Sequence, residues 1–226
     1  MRILAIDSST EACSVAVWRP NACVSLYDAK PPRVSEVILE MVQAVLDDAG
    51  ITLAEVDAFA FGRGPGSFTG VRLATAVIQG LAVVGDKPVM PISTLAALAQ
   101  GAYRQWGART VLSAVDARMQ EIYWACYHLD ADDVWITEQE HVSPPGDLVL
   151  PILPNWAAVG SGWDHYRDVL TERLSALVGC WYPGCTPLAE DIGLLAFKAY
   201  QRGDYVRAED ALPVYIRDQV AHVRKA

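Results

Sequence analysis

Hydrophobic positions open the chain. Ile3 to Ile6 reads as a short buried strand and Asp7-Ser8-Ser9-Thr10 as a turn. Ala12 to Trp18 alternates like a second strand, Arg19-Pro20-Asn21 turns again, and Cys23 to Tyr27 makes a third. Lys30-Pro31-Pro32 breaks this meander. The spacing beyond it predicts a helix over Arg33–Ala49, closed by Gly50. Its polar residues Glu36, Glu40, Gln43 and Asp47 fall on one narrow stripe. The apolar remainder spans about 220° at 100° per residue, wider than the arc of about 100° that a surface helix needs. One side can face its own sheet, and the other requires cover. Leu39, Val42 and Leu46 are the candidates for a partner on this helix, and the wheel leaves open which side faces out.

Val56 to Phe61 is a strand that runs into Gly62-Arg63-Gly64-Pro65-Gly66-Ser67-Phe68-Thr69-Gly70, with Ser67 or Thr69 capping a helix over Thr69–Val84. The expected inward face of that helix is Val71, Ala74, Val77, Ile78 and Leu81. The outward face is Arg72, Thr75, Ala76, Gln79, Gly80 and Val83, and Arg72 is its only charge. A helix so poorly dressed for water is normally buried, either at the centre of a larger core or, in a chain this short, against another protein. A strand over Lys87–Ile92 follows, and Ser93 caps a helix over Thr94–Trp106.

A second sheet is expected from Thr110–Val115, Glu121–Leu129 and Val134–Glu140, with Asp116-Ala117-Arg118 at its first turn. It repeats the opening meander and its turn aspartate. Trp156–Val159 is a further strand, ended by Gly160-Ser161-Gly162. Thr186 and Pro187 are expected to start a last helix that ends near Arg202-Gly203, and the tail Leu212–Arg217 is apolar enough to dock.

At 226 residues and 52% hydrophobic the chain can build one large domain or two small ones. A formal charge of -9 argues against binding nucleic acid alone, because Lys and Arg supply most of that affinity. Five irregularly spaced cysteines fit reduced thiols in the cytoplasm. No leader opens the sequence and no apolar stretch spans a bilayer. The glycine-rich segment has no lysine from Gly62 to Gly70, so it is not a P-loop, and Ser67 stands where a dinucleotide fingerprint needs its third glycine. The four histidines form no metal pair, Cys180 and Cys185 have no second pair, and no nucleophile elbow occurs, so neither metal nor cofactor is expected. Asp7, Ser8, Ser9, Asp116, Gly160, Ser161 and Gly162 are candidates for a vestigial nucleotide cleft between two lobes. The alternative is that the aspartates are simple turn residues.

Taken in order, Met1–Thr10, Gly62–Arg72, Ile92–Leu95, Asp116–Tyr123 and Pro213–Arg217 resemble the TsaB family, the dimerization subunits of the bacterial tRNA threonylcarbamoyladenosine synthesis complex. The resemblance runs nearly end to end. It implies an α/β, actin-like (ribonuclease H-like) fold of two lobes, each a mixed sheet flanked by helices. The lobes are expected at 1–106, carrying the partner-binding helices, and 107–226, with the tail docking back. It further implies a non-catalytic cytoplasmic scaffold that pairs with TsaD through helices of the first lobe, is joined by the ATPase TsaE, forms a homodimer on a shared surface, and meets tRNA only through the complex. That complex transfers a threonylcarbamoyl group to the adenosine beside the anticodon of tRNAs reading A-starting codons. Val34 stands where such chains often carry histidine. Competing readings are an actin-like kinase or ATPase using Asp7, Ser8, Asp116 and Gly160–Gly162, a protease, and a purely structural dimer.

Overall fold

The structure is a computed structural model that describes residues 1–129, 135–136, 139–149 and 155–217. Strands β1 (Ile3–Asp7), β2 (Cys13–Arg19), β3 (Ala22–Asp28), β4 (Ala58–Gly62) and β5 (Val89–Ile92) form one sheet in the order β3-β2-β1-β4-β5. β2 is antiparallel to its neighbours, while β1, β4 and β5 are parallel. The second sheet comprises β6 (Thr110–Arg118), β7 (Glu121–Leu129), β8 (Trp135–Ile136), β9 (His141–Ser143), β10 (Trp156–Val159) and β11 (Val178–Tyr182). Its order is β11-β10-β6-β7-β8, with β9 also on β7. The same pattern recurs, since β7 is antiparallel to β6 and β6, β10 and β11 are parallel. Two copies of one five-strand order, each with its second strand reversed, make the actin-like, ribonuclease H-like architecture.

Helices α1 (Val34–Ala49) and α2 (Phe68–Val83) cover one face of the first sheet, and α5 (Ala189–Arg202) covers the other. β1 is buried along its whole length because both faces are covered. Leu4 and Ile6 pack with Ile38, Val42, Val45 and Ile78, while Ile3 and Ala5 pack with Ile192 and Ala196. On the second sheet, α3 (Thr94–Trp106) places Leu95 and Leu98 against Val111 and Val159, and α4 (Ser161–Leu174) places Trp163 and Leu170 against Leu112 and Trp156.

Where caps are local they match the reading of the sequence. Ser67 Oγ accepts from the Gly70 N–H, and Ser93 Oγ from the Ala96 N–H. The last helix differs. It begins at Ala189 rather than Thr186, and its first N–H donates to Ser14 Oγ on β2, so its cap comes from a residue distant in sequence. Helix α4 and strand β11 were not expected. Of the strand expected over Val134–Glu140, Trp135–Ile136 forms β8, and Val134 and residues 137–138 lie outside the described residues.

Candidate functional site

The glycine-rich loop between β4 and α2 is a structural junction. Its Ser67 N–H donates to the Ser9 carbonyl at 2.7 Å, and Ser8 Oγ donates to the Gly70 carbonyl at 2.8 Å, so the loop lies flat on the turn that ends β1. A Cβ at Gly62 would overlap Asp7 Oδ2, and one at Gly70 would overlap the Ser8 carbonyl. The glycines therefore permit close approach to the chain itself. Gly64 O accepts from the Thr94 N–H, which ties the loop to the start of α3.

Asp7 is 2% exposed. Its Oδ1 accepts from the N–H and hydroxyl of Ser9, and its Oδ2 has no hydrogen-bond partner. Burial pushes this carboxyl up to about 7, and the two Ser9 bonds oppose that rise only in part. Asp116 lies two residues before the end of the equivalent strand β6, at a register shift against β7, and makes the same local bond, with Oδ1 accepting from the Arg118 N–H at 2.9 Å. It is more open, and it also meets the Tyr166 hydroxyl and the Arg118 guanidinium. The Asp116 N–H donates to Ser161 Oγ, and Gly160 and Gly162 fit closely against Ala114. The seven cleft candidates thus lie at or near the ends of β1, β6 and β10, and Arg118 reaches Glu11, just beyond the first turn, at 3.4 Å. No group of three His, Cys, Asp or Glu that could hold a metal occurs among the described residues.

A second polar link joins the sheets. Arg63 pairs with Glu140 at 3.3 Å, the Tyr127 hydroxyl donates to Glu140, and Ser93 Oγ lies 3.3 Å from that hydroxyl. Burial is the main cause that raises the Tyr127 pKa, with the Glu140 charge beside it.

The helix face expected to meet a partner is only partly at the surface. Val42 and Leu46 are 4% and 3% exposed, because that side of α1 lies in the core over the first sheet. Thr75 is buried too. Its hydroxyl donates to the Val71 carbonyl within the helix, so it needs no water. Gln79 is half-buried, and its amide donates to the Ala211 carbonyl of the tail. Leu39, Arg72, Ala76, Gly80 and Val83 are exposed, Leu39 at 57% and Val83 at 63%.

Sequence reasoning missed two members of this surface, Phe68 and Tyr215. The Arg72 guanidinium lies 3.6 Å from the centre of the Phe68 ring, and its Nε donates to the Tyr215 hydroxyl at 2.7 Å. Both rings are about half exposed. The apolar tail was a visible signal, but its partner on α2 was not. The tail continues across the molecule. The Val214 N–H donates to the Arg63 carbonyl, and Arg217 reaches Glu121 and the Ala117 carbonyl on the second sheet.

A family model described as "TsaD: tRNA N6-adenosine threonylcarbamoyltransferase" matches residues 32–167. The chain is 41% identical to the tRNA threonylcarbamoyladenosine biosynthesis protein TsaB of Escherichia coli (strain K12), over 98% of this chain and 96% of that one. It is 34% identical to the protein of the same name from Haemophilus influenzae, over 97% and 95%. The solved structure of YeaZ from Pseudomonas aeruginosa superposes with a TM-score of 0.88 at 44% identity, covering 95% of this chain and 99% of that one. These matches cover nearly the whole of both sheets and their helices, and the chain belongs to the TsaB family.

Proposed function

We propose that this chain is a non-catalytic scaffold in the synthesis of tRNA threonylcarbamoyladenosine. In this reading the lobe over 1–106 binds TsaD through the exposed face of α1 and α2, TsaE joins that pair, and tRNA is met only through the complex. The observation that carries the proposal is the exposed stripe of α2. Phe68, Arg72, Ala76, Gly80 and Val83 recur at helical spacing with a single charge, and Leu39 of α1 is also exposed. The names of the relatives supply the pathway.

The rival reading, a nucleotide cleft centred on Asp7, finds no open carboxylate there, since Gly62 and Ser9 close over it. Calorimetry with purified TsaD tests the scaffold reading. Ala76→Glu places a charge in the middle of the stripe and is expected to cost at least about 2 kcal/mol of binding. Unchanged affinity removes this face from the interface.

A further inference from the structure

Helix α5 covers only part of its face of the first sheet. It starts at Ala189, whose N–H donates to Ser14 Oγ, and α3 passes beside it. Along β3, Val24 and Leu26 pack into the core on the α1 side, so Ser25 and Tyr27, which alternate with them, turn to the α5 side. Ser14 stands opposite Tyr27 in the β2–β3 register and shares that side. Beyond the start of α5 these three residues form one wall of a cavity of about 330 Å³. Gly101, Ala102 and Trp106 of α3 close it from a second direction, and the turn from Pro183 to Thr186 from a third. Pockets that hold small molecules begin at about this size. The cavity includes none of the seven cleft candidates and no residue of the α2 stripe.

The chemistry of this cavity is one-sided. Glu190 is the one charged residue that lines it among the described residues, with no Lys, Arg or His beside it. Behind Glu190 a single guanidinium faces two carboxylates. Arg104 lies 2.6 Å from Glu190 Oε1 and also holds the buried Asp191. The balance there is negative, and the contact engages one oxygen of Glu190. The same two carboxylates assist burial in raising the thiol of Cys23, on the same side of β3, to about 11. An anion finds little to hold it, because the first N–H of α5 is already taken by Ser14. Two aromatic rings complete the wall, Tyr27 at 48% and Trp106 at 42% exposed. Tyr182 stacks on one face of Trp106, 4.0 Å between ring centres, but does not line the cavity, so the indole turns its remaining surface to it. Such rings attract cations as well as aliphatic carbon. Ser25, Gln105 and Thr186 add oxygen acceptors for an N–H donor.

We propose that this cavity binds a small organic cation, a primary ammonium on a short aliphatic stem, with the ammonium at Glu190 and the stem against the rings of Tyr27 and Trp106. Glu190 supplies the charge, the rings supply apolar area, and the hydroxyls of the sheet and the turn receive the remaining N–H groups. The walls come from four separate parts of the chain, β2, β3, α3 and the segment leading into α5. That enclosure suits a free small molecule rather than a flat partner surface.

Calorimetry of the full chain with cadaverine tests this. Saturable binding is expected with a Kd below about 1 mM, weakening as salt is added. Glu190→Gln is expected to weaken it about 10-fold or more, and Trp106→Leu about 3-fold. Ser25→Lys places an ammonium of the chain's own in the cavity from an exposed strand position. It is expected to abolish binding with an unchanged circular dichroism spectrum. Pentanol, which has the stem without the charge, is expected to bind far more weakly, and adenosine monophosphate not at all. A wild-type chain that shows no saturation up to about 10 mM cadaverine overturns the proposal. So does a folded Ser25→Lys or Glu190→Gln that binds as the wild type does. Pentanol binding as tightly as cadaverine would make the cavity merely apolar, and adenosine monophosphate binding there in preference would make it a nucleotide site; either result overturns the proposal too.

Discussion

Replacing Asp7 by asparagine should change how stability depends on pH. In the folded chain Asp7 is enclosed, one oxygen has no partner, and its carboxyl titrates at about 7 rather than the ordinary 3.8. Between those values the folded state keeps a proton that the unfolded state releases. Stability from this group is therefore complete below about pH 4, falls as pH rises to about 7, and is gone above that. Each pH unit is worth about 1.4 kcal/mol, so the whole interval amounts to about 4 kcal/mol. Asparagine has the shape of the protonated acid, keeps an acceptor for Ser9, and does not ionise. Other titrating groups affect both proteins alike, Cys13 excepted. Burial raises its thiol to about 12, with the Asp7 charge a lesser cause, and it stays protonated across this range. Urea unfolding at pH 4, 5, 6, 7 and 8 gives the difference directly. The Asp7→Asn variant should equal the wild type near pH 4 and exceed it by about 4 kcal/mol at pH 8. Parallel curves would show that Asp7 ionises freely in the folded chain, and that the enclosure described here is wrong.

Two further outcomes follow from packing. Arg104 grips the buried Asp191 with two hydrogen bonds of 2.9 and 3.0 Å, while burial, with the Glu190 charge a lesser cause, pushes that carboxyl up. Arg104→Ala should cost about 3–5 kcal/mol in urea unfolding at neutral pH, and a loss below about 1 kcal/mol would mean that water reaches Asp191. The glycines of α2 should respond in opposite directions in the same assay. Gly70→Ala meets the Ser8 carbonyl and should cost about 3 kcal/mol or more, whereas Gly80→Ala meets nothing within 4 Å and should gain about 1 kcal/mol from helix propensity. Equal effects at the two positions would refute the close approach at Ser8.

Much of the fold was legible because its signals are local. Ser67 and Ser93 cap helices within three residues, and β1 to β3 announce themselves by period and turns. The start of α5 differs from its sequence signal because Ser14 completes it from a distant strand. Helix α4 is hard to see in the sequence because its apolar residues are sparse and its backbone departs from helical angles at Tyr166. β11 is hard to see because Gly179 interrupts a five-residue signal. The site was less legible. Thr75 looked outward because it is polar, yet a bond to its own helix lets it bury, and Val42 and Leu46 could be placed only by knowing where the sheet lies. The exposed cluster around Arg72 needs Tyr215, and that pairing leaves no pattern in the sequence.

The crossing of α5 onto the first sheet has a consequence for synthesis. Ile3, Ala5, Ala60 and Met90 emerge from the ribosome early, but the helix that covers them spans Ala189–Arg202. At ordinary elongation rates the interval between Ile92 and Ala189 lasts on the order of ten seconds. Through that time one apolar face of the nascent sheet is bare, and the chain depends on delayed collapse or on a chaperone until its own C-terminal helix arrives.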